Sequence, residues 1–149
     1  MNINLGCGER RLDDKFEGGF VNVDFRKTAI VDVVHDLTKY PWPFADEEFD
    51  NAYAIDVVEH ILHVFPFVDE VWRIVKPGGK LYIRTSYFET EQSYTDPTHF
   101  HFFTLQSFDF FDPTTGIGKQ YHWYTDRKWR ILNKGRSGEE SVFTMEKII

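Results

Sequence analysis

Glycines and a carboxylate follow the first two short apolar runs of the chain. Ile3–Leu5 is followed by Gly6-Cys7-Gly8, and Phe20–Val23 is followed by Asp24. A glycine pair lets a ligand approach the backbone without interference from Cβ atoms, and the amides that follow can point at that ligand. A carboxylate such as Asp24 can accept hydrogen bonds from two neighbouring hydroxyls, as a ribose presents them.

A further carboxylate, Asp36, follows the third apolar run, Ile30–Val34, and can accept from the exocyclic amine of a purine. The alternative roles are tight turns for the glycines and turn or helix caps for the aspartates. Because these residue types recur at consecutive strand ends, the pattern favours a nucleoside-like ligand. A dinucleotide is disfavoured, since Arg11 occupies the third glycine position of a Gly-x-Gly-x-x-Gly motif.

The elements that must position these residues alternate between strands and connections. Further strands are predicted at Asn51–Ile55 and Leu81–Thr85. Between them, apolar residues at three- and four-residue intervals predict one strong helix that starts after Asp56 and continues to Val75. Pro66 is expected to kink or interrupt that helix. The pattern predicts an open, mostly parallel α/β sheet with its ligand at the carboxyl ends of the strands.

The first connections are too short for full helices: Glu9–Gly19 has eleven residues and Phe25–Ala29 has five. One face of the sheet is therefore expected to be thinly covered, by the aromatic segment, a second copy or a partner subunit. At the other end, Leu105–Phe111 reads as helical turns. Two antiparallel strands are predicted at Gln120–Leu132 and Ser141–Ile148, joined by a loop.

Composition limits the classes of partner. The 149 residues carry 17 basic and 24 acidic side chains, a net charge of −7 that disfavours general binding to nucleic-acid phosphates. Most of the acidic residues lie within residues 1–118, which suits a small cationic ligand. Residues 119–149 are basic and can contact an anionic substrate or keep a hairpin soluble. The single cysteine, Cys7, excludes a disulfide framework and a cysteine-based zinc site.

No apolar run reaches the roughly 20 residues that span a bilayer, and Met1–Gly8 lacks a basic stretch followed by a hydrophobic one. We therefore expect a cytoplasmic protein without membrane association. Aromatic residues make up 17% of the chain and cluster between residues 82 and 129. They indicate a ring-walled pocket, a partner surface or, by default, an aromatic core.

Six segments resemble, in order, the motifs of class I S-adenosylmethionine-dependent methyltransferases, and together they lie within residues 2–86. They are Ile3–Gly8, Asn22–Asp24, His35–Leu37, Tyr40–Asp50, Val58–Ile61 and Lys76–Leu81. The resemblance implies a compact Rossmann-like sheet of seven strands, mostly parallel with an antiparallel last strand, with some helices short or missing. It also implies S-adenosylmethionine as the cofactor.

The resemblance further implies roles for particular residues. Gly6 to Gly8 would line the methionine part of the cofactor, Asp24 the ribose, Asp36 with Leu37 the adenine, and Ala54 to Asp56 the substrate side. The full set of predicted cofactor residues is Asn4, Gly6, Cys7, Gly8, Asp24, Asp36, Leu37, Ala54, Ile55 and Asp56.

The chain begins at the first strand, without the helices that usually roof the pocket in this family, so a lid is expected from residues 87–118. Within one domain, residues 1–86 then form the cofactor half and residues 119–149 a C-terminal hairpin. In the lid, Tyr87 and Tyr94 are predicted to position the acceptor, and Asp96 to orient His99 as the base. The alternative is a capped turn at Asp96 with His99 as a structural hydrogen bonder.

His60, at the start of the strong helix, is predicted to be either a base or a packing residue, and Glu59 to be solvated or salt-bridged. Asp96, His99 and His101 loosely resemble metal ligands. Because another ligand is not evident in the sequence, no metal is predicted.

The sequence therefore predicts methyl transfer to a small polar or sugar-like acceptor, at oxygen. One alternative is a catalytically inactive subunit that binds S-adenosylmethionine and supports a partner. Another is a nucleic-acid methyltransferase, which the acidic balance and the lack of an Asn/Asp-Pro-Pro-aromatic signature disfavour.

Overall fold

The computed structural model describes residues 1–13 and 15–149, so Asp14, in the Glu9–Gly19 connection, lies outside the described residues. Within them, seven strands form one sheet in the order β3-β2-β1-β4-β5-β7-β6. The strands are β1 Asn2–Leu5, β2 Phe20–Asp24, β3 Val33–Val34, β4 Phe49–Ile55, β5 Val75–Ser86, β6 Trp129–Ser137 and β7 Glu140–Lys147.

The first five strands are parallel, and β7 runs antiparallel to both β5 and β6. This confirms the predicted sheet, mostly parallel with an antiparallel last strand. All four residues of β1 are buried because the strand lies between β2 and β4. The strand order reverses between β1 and β4, which is where open α/β sheets form a ligand crevice.

In the part of the chain that the structure describes, three short helices accompany the sheet: α1 Val64–Ile74, α2 Glu91–Thr95 and α3 Gly116–Gln120. Single 3₁₀ turns occur at Val58–His60, Asp109–Phe111 and His122–Tyr124. Within residues 1–13 and 15–149, no helix combines the length and the apolar composition that crossing a membrane requires.

The prediction of one long helix after Asp56 was wrong in its first half. The chain forms the 3₁₀ turn Val58–His60, and α1 begins only at Val64. Pro66 lies in the first turn of α1, where a backbone amide has no intrahelical acceptor, so the predicted helix is interrupted just before it, between His60 and Val64. The remaining apolar stripe is buried as predicted: Phe67, Val68, Val71 and Ile74 pack into the core.

The predicted third strand and C-terminal hairpin also differ in their bounds. Only Val33–Val34 pairs with β2, because the preceding residues form turns. Residues 133–137 belong to β6 and pair along β7, although their composition is typical of a loop. The reversal occurs at Gly138, whose φ of +62° suits a tight turn.

The aromatic residues of the second half are divided between the core and the surface. Phe108, Phe111, Trp129 and Phe143 are almost completely buried, and the rings of Phe108 and Phe143 pack edge-on with centroids 4.7 Å apart. The segment before β6 therefore covers one face of the sheet.

On the opposite face, the first connection contributes a ring, Phe16, among the residues that the structure describes. Phe16 packs on Tyr53 of β4 and Tyr82 of β5, with centroid distances of 4.8 and 6.4 Å, and is itself 40% exposed. Among the described residues, neither of the first two connections forms a helix, in line with their lengths.

Candidate active site

A cleft of about 900 Å³ opens at the carboxyl ends of the parallel strands. Six of the ten predicted cofactor residues contribute to its lining: Gly6, Gly8, Asp24, Asp36, Leu37 and Asp56. Cys7 and Ile55 line a smaller adjoining cavity beside Arg10, whereas Asn4 and Ala54 are buried within their strands. The fold thus gathers residues from four separate strand ends around one cleft.

The turn after β1 needs glycine for two reasons. Gly6 has a φ of +62°, and a Cβ there would lie 2.6 Å from a methyl carbon of Val57. Gly8 has a φ of +55°, and its Cβ would meet only the Arg26 guanidinium, at 3.6 Å, so this glycine faces open space. Beneath the turn, the Asn4 amide donates to the Arg10 carbonyl at 2.9 Å.

Cys7, between the two glycines, is a buried side chain. Burial, together with the negative charge of Asp24, raises the pKa of the thiol to about 11. The thiol therefore stays protonated near neutral pH and is a poor nucleophile.

Asp24 fastens the glycine turn to the end of β2. Its Oδ2 accepts from the Gly8 amide at 2.8 Å and its Oδ1 accepts from the Arg26 amide at 2.9 Å. Each carboxylate oxygen can accept a second hydrogen bond, so Asp24 can hold these amides and still accept from a ligand at the cleft. The loop-fixing role and the proposed ribose role are therefore compatible.

Asp36 caps a turn, which is the alternative role that the sequence left open for this aspartate. Its Oδ1 accepts from the hydroxyl and the amide of Thr38, at 2.7 and 2.9 Å. These bonds, the hydroxyl first, lower the pKa of Asp36, so it is ionised at neutral pH. Next to it, Leu37 gives the cleft an apolar wall, and its carbonyl accepts from the Trp42 indole at 3.1 Å.

Asp56 ends β4 in the left-handed region, with a φ of +57° that aspartate tolerates better than most residues. Its Oδ2 accepts from Arg84 at 2.6 Å and from Arg10 at 3.1 Å. Hydrogen bonding to Asp56 raises the pKa of the Arg84 guanidinium. Asp56 thereby holds a cation, Arg10, beside the glycine turn.

A second cavity, of about 500 Å³, adjoins the cleft. The two spaces share Asp56, His60 and Asp96. The further lining residues of the second cavity are Glu59, Ser86, Gln92, Thr95 and His99. All three predicted catalytic residues, His60, Asp96 and His99, therefore line the second cavity, and His60 and Asp96 also line the cleft.

Hydrogen bonds set the proton positions on both imidazoles. The Thr98 hydroxyl donates to Asp96 Oδ1 at 2.7 Å, so toward His60 it can only accept, and His60 Nδ1 donates to it at 2.8 Å. His99 Nδ1 donates to the Ser93 carbonyl at 2.7 Å. In each neutral ring Nε2 is left as the basic nitrogen.

The predicted Asp96–His99 pair is adjacent but is not hydrogen-bonded. His99 Nε2 lies 4.0 Å from Asp96 Oδ2, beyond hydrogen-bond distance, and Asp96 instead supports His60 through Thr98. Burial, with the neighbouring charge of His99, lowers the pKa of His60. Hydrogen bonds from Thr98, the backbone amide first, lower the pKa of Asp96.

The two predicted acceptor-positioning tyrosines lie elsewhere. Tyr94 is 59% exposed and stacks on Phe102 at 4.3 Å, and Tyr87 packs under the Arg136 guanidinium at 4.5 Å. Among the residues that the structure describes, neither tyrosine belongs to the lining of the two cavities.

The prediction that Glu59 is solvated or salt-bridged was wrong, since among the described residues its side chain is buried and forms no ion pair. It is only 2% exposed, and its carbonyl accepts from the Phe100 amide at 2.8 Å, which docks the lid on the 3₁₀ turn after β4. Burial, with a smaller contribution from the Asp56 charge, raises the pKa of Glu59. The only sequence signal was its position beside His60.

A mostly parallel seven-stranded sheet with this strand order and a glycine- and carboxylate-lined cleft at its switch point defines a class I methyltransferase fold. A family model described as a methyltransferase domain matches residues 3–83, more than half of the chain. The chain therefore belongs to the methyltransferase domain family, which confirms the predicted resemblance.

Comparison with known proteins supports this. A 40-residue stretch, 27% of this chain, is 40% identical to the mitochondrial ubiquinone biosynthesis O-methyltransferase of Dictyostelium discoideum, of which it spans only 12%. A methyltransferase from Aquifex aeolicus, described as S-adenosylmethionine-dependent, shares the fold with a TM-score of 0.66 and 14% identity, over 99% of this chain and 81% of its own.

A third similar structure is the complex of the Haloferax volcanii Trm112 methyltransferase activator with a putative methyltransferase. Its TM-score is 0.66 at 12% identity, and the match covers 97% of this chain and 81% of that one. At these identities the structural likenesses establish the fold.

S-adenosylmethionine is the cofactor that the family and the fold imply, and the cleft fits it. The volume of the cleft lies within the range of about 300–1,000 Å³ that is typical of small-molecule sites. Beyond Gly8 there is open space for a ligand, and Asp24, Asp36 and Asp56 line the cleft with carboxylates that suit a cation bearing hydroxyls and an amine.

Proposed function

We propose that this chain transfers a methyl group from S-adenosylmethionine to the oxygen of a small polar or sugar-like acceptor. The observation that carries the proposal is the junction of the two cavities at Asp56, His60 and Asp96. An acceptor in the second cavity would face the cofactor cleft across these side chains. The size and polar lining of that cavity favour a small, polar acceptor.

In this proposal the cofactor is held mainly by the strand ends. Gly6 to Gly8 face its methionine part, Asp24 accepts from the ribose hydroxyls, and Asp36 with Leu37 borders the adenine. When bound, S-adenosylmethionine supplies an electrophilic methyl group on a sulfonium sulfur, which a nucleophile takes by in-line displacement. The residues of the chain then have to orient the acceptor, exclude water and receive its proton.

His60 and His99 are the residues proposed to deal with the acceptor proton. Each presents Nε2 as its basic nitrogen, because Nδ1 donates to Thr98 or to the Ser93 carbonyl. Asp96, acting through Thr98, orients His60 and stabilises its positive charge once the ring has taken the proton.

Residues 87–118 are proposed as the lid over the acceptor, residues 1–86 as the cofactor half and 119–149 as the hairpin that completes the sheet. Hydrogen bonds dock the lid beside the site: the Phe100 backbone amide donates to the Glu59 carbonyl, and the His101 ring donates through Nε2 to the Leu62 carbonyl, both at 2.8 Å. This docking reduces access of water to His60 and His99.

The experiment that tests the proposal is a screen of small hydroxylated metabolites and saccharides for formation of S-adenosylhomocysteine, with the methylated product identified by mass spectrometry. We expect turnover with an oxygen acceptor, and cofactor binding detectable by calorimetry. Cofactor binding without turnover of any acceptor would contradict the proposal.

That contradictory outcome would favour the second candidate, an inactive cofactor-binding partner subunit. Its specific support is the thinly covered sheet face at Phe16, Tyr53 and Tyr82, and the solved Haloferax volcanii complex of a putative methyltransferase with an activator. Native mass measurement distinguishes a monomer, a homodimer and a hetero-complex. Oligonucleotide binding that survives physiological salt would instead favour a nucleic-acid substrate.

A further inference from the structure

Three side chains at the cavity junction bring possible metal ligands together. One carboxylate oxygen of Glu59 and one ring nitrogen each of His60 and His99 lie within 4.8 Å of one another. Glu59 and His60 belong to the 3₁₀ turn after β4, whereas His99 belongs to the lid. The cluster therefore exists only because the lid docks on this turn.

Both imidazoles are oriented as metal-binding histidines commonly are. His99 Nδ1 donates to the Ser93 carbonyl, and His60 Nδ1 donates to Thr98, whose own proton is held by Asp96. Such partners fix the ring orientation and keep the Nε2 lone pair free for a cation. The site thus has a second layer of polar groups supporting two ligands.

Glu59 provides an independent indication of a ligand. Its side chain is 2% exposed and lines the second cavity, and the one hydroxyl that the described structure sets against its carboxylate is that of buried Thr85, which partly offsets the burial-driven rise in its pKa without meeting the geometry of an ordinary hydrogen bond to Oε2. A buried carboxylate oxygen without a partner is costly, and each such group in a folded protein requires an explanation. A cation placed between Glu59 and the two imidazoles would satisfy that oxygen.

We propose that Glu59, His60 and His99 bind one divalent transition-metal cation, such as Zn²⁺, Co²⁺ or Fe²⁺, at the junction of the two cavities. Two imidazole nitrogens and one carboxylate oxygen form a ligand set that suits these ions and leaves coordination positions open. Bonds of about 2.0–2.2 Å require the three side chains to rotate inward from their separation in the structure.

The role of the cation rests on the proposed function, although its binding does not. An acceptor hydroxyl that occupies an open coordination position loses its proton at a lower pH, because the cation stabilises the alkoxide. His60 and His99 would then act as ligands instead of as bases. Asp96, whose Oδ2 lies 4.0 Å from His99 Nε2, is the nearby carboxylate able to receive the proton.

The direct test is titration of chelator-treated protein with Co²⁺ alone, followed by calorimetry and by visible absorption of the bound ion. We expect one ion per chain. His99→Gln should weaken binding by at least about 100-fold and Glu59→Gln by at least about 10-fold, since even second-layer changes cost about 10- to 100-fold. The matched control is His63→Gln, an exposed histidine outside the cluster, which should bind Co²⁺ as the wild type does.

Two results would overturn the inference: wild-type protein that binds neither Co²⁺ nor Zn²⁺ at millimolar concentration, or a His99→Gln variant with unchanged affinity. Circular dichroism and thermal melts verify that each variant folds. If Glu59→Gln does not fold, the test rests on the affinity of His99→Gln for Co²⁺. Metal binding without turnover of any acceptor would contradict only the proposed function. Full turnover by chelator-treated protein that binds no Co²⁺ would contradict only this inference.

Discussion

The strand-end loops of residues 2–56 and the lid of residues 87–118 are built in different ways. In the loops, short polar side chains bond to the backbone of a neighbouring loop, as Asp24 does to Gly8 and Arg26. In the lid, rings pack on rings, as Tyr94 does on Phe102, and a few histidines make the polar contacts.

This difference determines what can be recognised in the sequence. A turn that requires positive φ angles and a Cβ-free approach accepts little besides glycine, and its bonding partner must be a short carboxylate. A lid of packed rings can be made from many combinations of aromatic residues, because similar volumes can fill the same space. The cofactor half therefore carries motifs, whereas the lid has to be interpreted from its tertiary contacts.

The largest effect is expected in the lid. His99→Ala should lower turnover about 10²- to 10³-fold, because it removes a group proposed to activate the acceptor, while the Kd for the cofactor stays unchanged. His99 lines the second cavity but not the cofactor cleft. The measurements are steady-state kinetics and calorimetry, with the exposed His122→Ala as control. Equal losses of turnover and cofactor affinity would assign His99 a structural role.

The next effect concerns the strand ends. Asp24→Ala should raise the Kd for S-adenosylmethionine about 100-fold and lower the free energy of unfolding by about 2 kcal/mol, because the Gly8 and Arg26 amides lose a charged acceptor. Calorimetry and urea unfolding measure the two quantities. Asp24→Asn keeps one acceptor oxygen, so its Kd and its free energy of unfolding should lie between those of the wild type and Asp24→Ala. Unchanged cofactor affinity would show that the ribose assignment is wrong.

A smaller effect is expected for Glu70, a residue of the cofactor half that should affect stability but not cofactor binding. Glu70 is 7% exposed, and its carboxylate accepts from Arg73 at 2.6 Å and from the Trp42 amide at 2.7 Å. Glu70→Gln should lower the free energy of unfolding by about 2 kcal/mol at pH 7 without changing cofactor affinity, since the pair lies outside the cleft.

The pH dependence of this prediction follows from the pKa of Glu70. Burial opposes ionisation, but the bonds from Arg73 and Trp42 outweigh it and hold the pKa below its ordinary value of 4.5. The ionised form is thus favoured in the folded state, so its contribution is complete above pH 4.5 and is lost as the pH falls through the folded-state pKa. Urea unfolding from pH 7 to 3 should show the wild type and Glu70→Gln converging; a constant difference would contradict the assignment.

The smallest effect is expected at the lid surface. Tyr94→Ala should lower the free energy of unfolding by less than about 1 kcal/mol, because the ring is 59% exposed and only stacks on Phe102. If Tyr94 contacts a bound acceptor, the KM for that acceptor rises while the cofactor Kd does not. Tyr94→Phe, which keeps the ring, should retain wild-type stability; a large destabilisation by Tyr94→Ala would mean that the stacked pair supports the whole lid.

Local sequence signals predicted the strands well and some element ends poorly. Strands β1, β2 and β4 were found because buried apolar runs end at glycine or aspartate, and β5 because its apolar run follows the Pro77-Gly78-Gly79 stop. The start of α1 at Val64 was missed, because the apolar period continues through the preceding 3₁₀ turn. Residues 133–137 were taken as a loop from their composition, but pairing with β7 outweighs that preference.

The sequence alone determined the sheet, its strand ends and the cofactor cleft, because each depends on short-range patterns: buried apolar runs, glycines with positive φ, and carboxylates at or within two residues of a strand end. Only the tertiary structure decided that Glu59 and His60 meet His99, that Asp96 supports His60 through Thr98, and that Tyr94 faces solvent. Those contacts depend on how the lid docks on the turn after β4. Such docking is set by packing between segments distant in sequence, which local residue patterns do not encode.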